Sequence, residues 1–299
     1  MKPKIITFEE SGKEYWIKKV NHLCGKYGIQ QNRRPERVEL EIKFNSCITI
    51  LDFTHVHIVL LACLIEQLKC LNYTMIAFIE DKNLRRFIFD ELHVGEYYTV
   101  GESSCHVEAD RDSIFNIWKI NPLKTEEYSM SVTDYFKRNY FKNCDLSGLK
   151  NSLDEVYFNV SDHAESNGIA FSYIYYDQQS RQICVSACDL GLGIPCTLKR
   201  AGLKYNSDGE ALRQSLEIGV SAKTNKHNKG FGLDNVVSNL SNKDRLRIVS
   251  NKALLLCHPN KNPIKFYELD FDFKGTLIYF EISIDSFLEE ETLFDINLG

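Results

Sequence analysis

Residues Leu153–Ala164 read L-D-E-V-Y-F-N-V-S-D-H-A, a pattern that fits one amphipathic helix. Helical spacing sets Glu155, Asn159, Asp162 and His163 at i, i+4, i+7 and i+8, on one face. Leu153, Val156, Val160 and Ala164 fall on the other face, with Tyr157 and Phe158 between them. Such a helix must lie on an apolar surface and turn two carboxylates, a carboxamide and an imidazole away from it. Alone, that stripe is an ordinary solvated face. Glycines further along the chain narrow the reading.

Three glycine-bearing segments lie downstream of this helix: D-L-G-L-G-I-P (Asp189–Pro195), K-G-F-G-L (Lys229–Leu233) and K-G-T-L-I-Y-F-E-I (Lys274–Ile282). The first ends an apparent strand, the second opens a helix and the third opens a strand. Gly191 and Gly193 suit positive φ and close backbone approach, and Pro195 suits a first helical turn. Gly230 and Gly232 precede the helix at Leu233, where free backbone N–H groups attract phosphate. Singly, each segment is a common turn.

In this order, across about Ser147–Ser283, the helix and the three segments resemble the GHKL superfamily of gyrase, heat-shock chaperone, histidine kinase and mismatch-repair ATPases. The resemblance implies a Bergerat-type α/β sandwich: a mixed sheet covered by helices on one face. It implies Mg²⁺ and ATP as cofactors. Asn159 is then the metal-binding residue, and Glu155 orients or deprotonates the attacking nucleophile. Asp189 accepts the adenine amino group, with Gly191 and Gly193 beside it and Thr276 nearby. The ATP lid is about 202–229, where Lys223, Lys226 and Lys229 offer charge to the phosphates, and Gly230, Phe231, Gly232 and Leu233 close it. Asp162 and His163 stand at positions that carry an acid in many of these ATPases and a histidine in anti-sigma-factor kinases. Each is open between binding and structural support. No G-x-x-x-x-G-K-[ST] loop is present.

The first 120 residues read as a separate α/β domain. Strands are expected over Val38–Phe44, Cys47–Phe53 and Met75–Ile79, and helices over about 57–71 and Lys82–Leu92. That alternation gives a βαβ unit with a parallel pair. The run I-L-D-F-T-H-V-H-I-V-L-L-A-C-L resembles a STAS domain, which implies protein docking. Leu60–Cys63 fills the region where phosphorylatable members carry a serine, and no hydroxyl is there. Residues 121–144 read as a connector with a helix over Ser131–Phe141, capped by Ser131 or Thr133. The sandwich domain is then 145–299.

A net charge of −5 argues against a nucleic-acid binder. The longest apolar run, Ile58–Ile65, is too short to cross a bilayer. Ten cysteines without a C-x-x-C pair read as free thiols of a reducing compartment, so a cytoplasmic protein is expected. The leading expectation is a regulatory Mg²⁺–ATPase whose lid controls a protein partner reached through the first domain. Homodimerisation is left open. The alternatives are a serine protein kinase of the anti-sigma-factor type, a histidine-kinase-like catalytic subunit and a scaffold with a degenerate ATP site.

Overall fold

The computed structural model describes residues 4–28, 38–98, 105–121, 123–163, 169–216, 233–238, 240, 244–258 and 264–287. It opens with β1 (Lys4–Phe8), α1 (Lys13–Gly28), β2 (Val38–Phe44), α2 (His55–Cys70) and β3 (Tyr73–Ile79). These strands form a parallel sheet in the order β1-β2-β3. The expected parallel βαβ pair is therefore β2-α2-β3. The strand expected over Cys47–Phe53 is instead a pair of turns. Its polar residues bond locally: the Asp52 carboxylate accepts from the Thr49 amide and hydroxyl, and Asn45 Oδ1 accepts from the Ser46 amide. Side chains of this kind compete with a ladder for backbone groups. Ahead of β2, α1 brings Trp16 against Phe8 with ring centroids 4.1 Å apart and leaves it 0% exposed.

Helix α2 is apolar all round, which a helix tolerates only inside a core. It packs on α1 and β3 on one side and on β5 and β6 of a second sheet on the other. Val56, Val59, Leu60, Cys63, Leu64 and Leu68 are all fully buried. Side chains of the two layers bond across this contact. Ser186 Oγ donates to the His55 carbonyl at 3.0 Å, and Cys63 Sγ donates to the Cys188 carbonyl at 3.4 Å. The N-terminus of α2 is capped by Thr54, whose amide donates to His57 Nδ1 at 3.0 Å. That bond leaves the proton on His57 Nε2, which donates to the Ser11 carbonyl at 2.9 Å.

After α3 (Lys82–Arg86), a π-turn at Phe87–Glu91 and a 3₁₀ turn at Val94–Tyr98, the chain enters the second sheet. Its strands are β4 (Ile114–Lys119), β5 (Ala170–Asp177), β6 (Gln182–Asp189), β7 (Arg245–Cys257) and β8 (Lys265–Ser283), in the order β4-β5-β6-β8-β7. Among the described residues, every pairing in this sheet is antiparallel, in place of the expected mixed sheet. Helices α4 (Thr125–Asn139), α5 (Ser147–His163), α6 (Ile194–Arg200), α7 (Asp208–Gln214) and α8 (Leu233–Ser238) share a core with Ile183, Val185, Ala187, Ile278 and Phe280. The expectation of helices on one face alone is also corrected. Phe171, Tyr173, Cys188, Leu277 and Tyr279 point the other way and share the α2 core. Two covered faces explain why Ile183–Asp189 is buried without alternation.

The expected limit at residue 120 falls inside this unit, because β4 pairs with β5. The expected connector is α4, packed on α5. Trp118 stacks on Tyr128 at 3.5 Å, and the Ser129 hydroxyl donates to the Asp154 carboxylate. Ser131 and Thr133, expected as caps, lie inside α4 and donate back to the Glu127 and Ser129 carbonyls. β7 and β8 are two long strands, and their pairing shifts register at bulges around Ser250–Ala253. Among the described residues, no helix is long and apolar enough to cross a membrane.

His55 is 3% exposed, and neither ring nitrogen has a partner. Burial pushes its pKa down to about 3, and burial likewise pushes His57 down to about 4, from 6.5. Both imidazoles are neutral when folded. Their stabilisation is complete above pH 6.5 and is lost on acidification, as the unfolded chain takes up protons, at about 1.4 kcal/mol per pH unit for each histidine. His55→Leu should therefore take about 1.4 kcal/mol per pH unit out of the acid loss of stability between pH 6 and 4.5 in urea titrations. An unchanged slope would contradict this assignment.

Candidate functional site

At one end of the second sheet, four strands bring Ala170, Asp189, Thr276 and Ser250 into a single row of register partners. Asp189 is the last residue of β6 and is 0% exposed. Its Oδ1 accepts the Gly191 amide at 2.7 Å, and its Oδ2 accepts the Thr276 amide at 3.1 Å. Burial raises its pKa to about 7, while the Gly191 and Thr276 amides and the Thr276 hydroxyl pull it down. A carboxylate offers about four acceptor positions, so these bonds leave capacity for another donor. The carboxylate meets protein on every side, however. A ligand can reach it only if the residues around it, among them the Gly191 amide bonded to it, move.

The surroundings are tight. Gly275 has φ +118, and a Cβ there would stand 2.1 Å from the Asp189 carbonyl oxygen. Gly193 has φ +82, and a Cβ there would stand 2.5 Å from Asn251 Oδ1 and 2.8 Å from the Gly275 carbonyl oxygen. The sequence suits positive φ at both Gly191 and Gly193; it occurs at Gly193 and Gly275, not at Gly191. Ser250 Oγ ties the turn to the strand: it accepts the Ile194 amide and donates to the Gly275 carbonyl, each at 2.9 Å. Asn251, 3% exposed with φ +49, donates to the Leu192 carbonyl at 3.1 Å, and its Oδ1 has no partner.

The structure thus brings Asp189, Gly191, Gly193 and Thr276 together from two segments far apart in sequence. Helix α5 ends at His163, seven positions before Ala170, the partner of Asp189. It packs on β6, β8 and α8. Leu153, Val156, Tyr157 and Val160 are buried, and Glu155 and Asn159 are half-buried. Asn159 Nδ2 donates to the Glu155 carbonyl at 2.8 Å, which leaves Oδ1 as the atom able to meet a cation. Leu233 is buried at the start of α8. Side-chain placement of Asp162 and His163 lies outside the described residues, as do Lys223, Lys226, Lys229, Gly230, Phe231 and Gly232.

Sequence reasoning misses Ser250, Asn251 and the strained geometry of Gly275. The glycine before Thr276 is visible in the chain, but the bulge that needs it is not a sequence pattern. Among the described residues, no group of three or more His, Cys, Asp or Glu gathers as a metal site. An apolar cavity of 780 Å³ lies between β3, α2 and Val94–Tyr98, and no residue of the Asp189 site lines it. No protein-family model matches the chain, and no curated protein matches it.

The packing predicts a sharp contrast between two glycines. Gly275→Ala should cost roughly 3 kcal/mol or more, from strained φ and collision with the Asp189 backbone. Gly25→Ala, in α1 with nothing within 4 Å of its Cβ, should raise stability by up to about 1 kcal/mol. Thermal and urea unfolding measure both. Equal effects would refute the tight approach at Asp189.

Proposed function

We propose that this chain is a Mg²⁺–ATP-binding regulatory protein of the GHKL class, with Asp189 as the base-recognising group. One observation carries the reading: the D-x-G-x-G and K-G-T segments meet on a single buried carboxylate at a sheet end. A carboxylate placed there selects a ligand that donates an N–H, as the adenine amino group does. Thr276 and the Gly191 amide orient it.

Asn159 Oδ1 is a hard oxygen suited to Mg²⁺, which neutralises phosphate charge when bound. Glu155, one turn earlier on α5, accepts a hydrogen bond from the attacking water or hydroxyl and takes its proton. By the resemblance, the lid lysines and the backbone N–H groups ahead of Leu233 would serve the phosphates; those residues lie outside the described ones. Because Asp189 is covered, base binding and movement of the 191–193 turn are coupled, and this makes the site a switch.

The first unit supplies the route to a partner protein. Ile5, Ile76 and Phe78 are each about half exposed on its outer sheet face, and Ile5 and Ile76 align across Glu41. Apolar side chains grouped on an open sheet face favour protein contact.

The test is Mg²⁺-dependent ATP binding by calorimetry, together with γ-labelled ATP turnover. Asp189→Ala should weaken ATP binding by about 30-fold, the value of one charge-assisted hydrogen bond near 2 kcal/mol. Wild-type affinity should fall as the pH drops from 8 to 6, because the Asp189 carboxylate takes up a proton near pH 7. Glu155→Ala should bind ATP and lose turnover, and Asn159→Ala should lose the Mg²⁺ dependence of binding. Free phosphate without labelled protein marks an ATPase, and label on a partner's serine marks a kinase. Wild-type protein that binds no ATP would overturn the proposal.

A further inference from the structure

The Lys274–Gly275 bulge pairs with neither neighbouring strand. On β7, Ser250 pairs with Thr276 and Asn251 with Phe273, so the two residues between are skipped. On β6, the ladder to β8 ends at Asp189–Thr276. A bulge of this kind leaves backbone donors and acceptors that need other partners. The Gly275 carbonyl has Ser250 Oγ, and the Thr276 amide has Asp189. Two further bonds come from the first unit. Asn21, on α1, donates Nδ2 to the Asp272 carbonyl at 2.9 Å and accepts the Lys274 amide on Oδ1 at 2.9 Å. Its carboxamide spans the bulge like a short piece of strand.

The same bulge presses Gly275 against the Asp189 backbone and aims the Thr276 amide at its carboxylate. We infer that Asn21 is a positioning residue for the Asp189 site, so that the first unit completes the site and regulates base recognition. The ligand side of this inference rests on the nucleotide reading; the positioning side rests on the bulge alone. Movement of α1, for instance on partner docking to the first unit, is felt at Thr276 through two hydrogen bonds. Lys18, one turn earlier on α1, makes exposed ion pairs to Glu14 and to Asp270 of β8 and lies over the Phe271 ring, with no bond to the bulge backbone, and serves as the control.

The test uses the full chain. In Asn21→Ala, hydrogen exchange over Phe273–Leu277 without nucleotide should rise about ten-fold. ATP affinity should fall about five-fold or more while GTP affinity stays level, narrowing the ATP/GTP ratio. A general loss of structure would not move that ratio selectively. Asn21→Asp keeps the acceptor for the Lys274 amide, loses the donor to Asp272 and should fall between; it also serves if the alanine variant unfolds. Lys18→Ala should match wild type. Wild-type exchange and an unchanged ratio in folded Asn21 variants would overturn the inference. If wild type binds neither nucleotide, the nucleotide reading and the ligand side fail together, and the exchange result alone then decides the positioning role.

Discussion

Everything in this molecule is arranged around α2. A helix with apolar side chains on every face has no tolerable position except between two layers, and here those layers are two sheets of opposite kind. The parallel sheet reaches α2 through crossovers that set α1 beside it. The antiparallel sheet reaches it through Phe171, Tyr173, Cys188, Leu277 and Tyr279, a face that would otherwise be left to water. Burying a side chain of this size contributes about 1.5–3 kcal/mol, so the helix and the faces it joins form a single cooperative core. His55 lies at the start of this wedge as an unpartnered neutral imidazole, a local cost that the surrounding burial offsets.

That wedge determines what can happen at Asp189. With α2 fixed on β6 and α1 fixed on α2, Asn21 is held over the edge of β8, where the strand skips two residues. The bulge is therefore shared between the two units. Its glycine lets the backbone approach Asp189, its next amide holds the carboxylate, and its outer groups belong to α1. Burial holds the Asp189 carboxyl near pKa 7, and on the proposed reading that carboxyl meets the base when its surroundings open.

How much of this is legible in the sequence depends on range. The apolar run around Ile58–Ile65 identifies α2, because helical period and composition are local. The motifs at Asp189–Gly193 and Gly275–Thr276 are legible for the same reason. The α5 pattern gives the buried stripe through Val156 and Val160, and Glu155 and Asn159 lie half-buried off it. Pairing is not legible. Ile114–Lys119 looks the same whether it joins the first sheet or the second, and only contact with β5 decides. Cys47–Phe53 has strand composition, yet Asn45 and Asp52 capture its backbone locally. The Asn21 clamp joins residues about 250 positions apart through a side-chain amide, which leaves no periodic trace.

The decisive experiment is a crystal structure of the full chain with Mg²⁺ and a non-hydrolysable ATP analogue. The adenine amino group should lie within about 3 Å of an Asp189 oxygen. The 191–193 turn should be displaced, with Asn21 still bonded to the Lys274 amide. Adenine bound elsewhere, or an Asp189 still sealed beneath its turn with nucleotide present, would contradict the role given to this carboxylate.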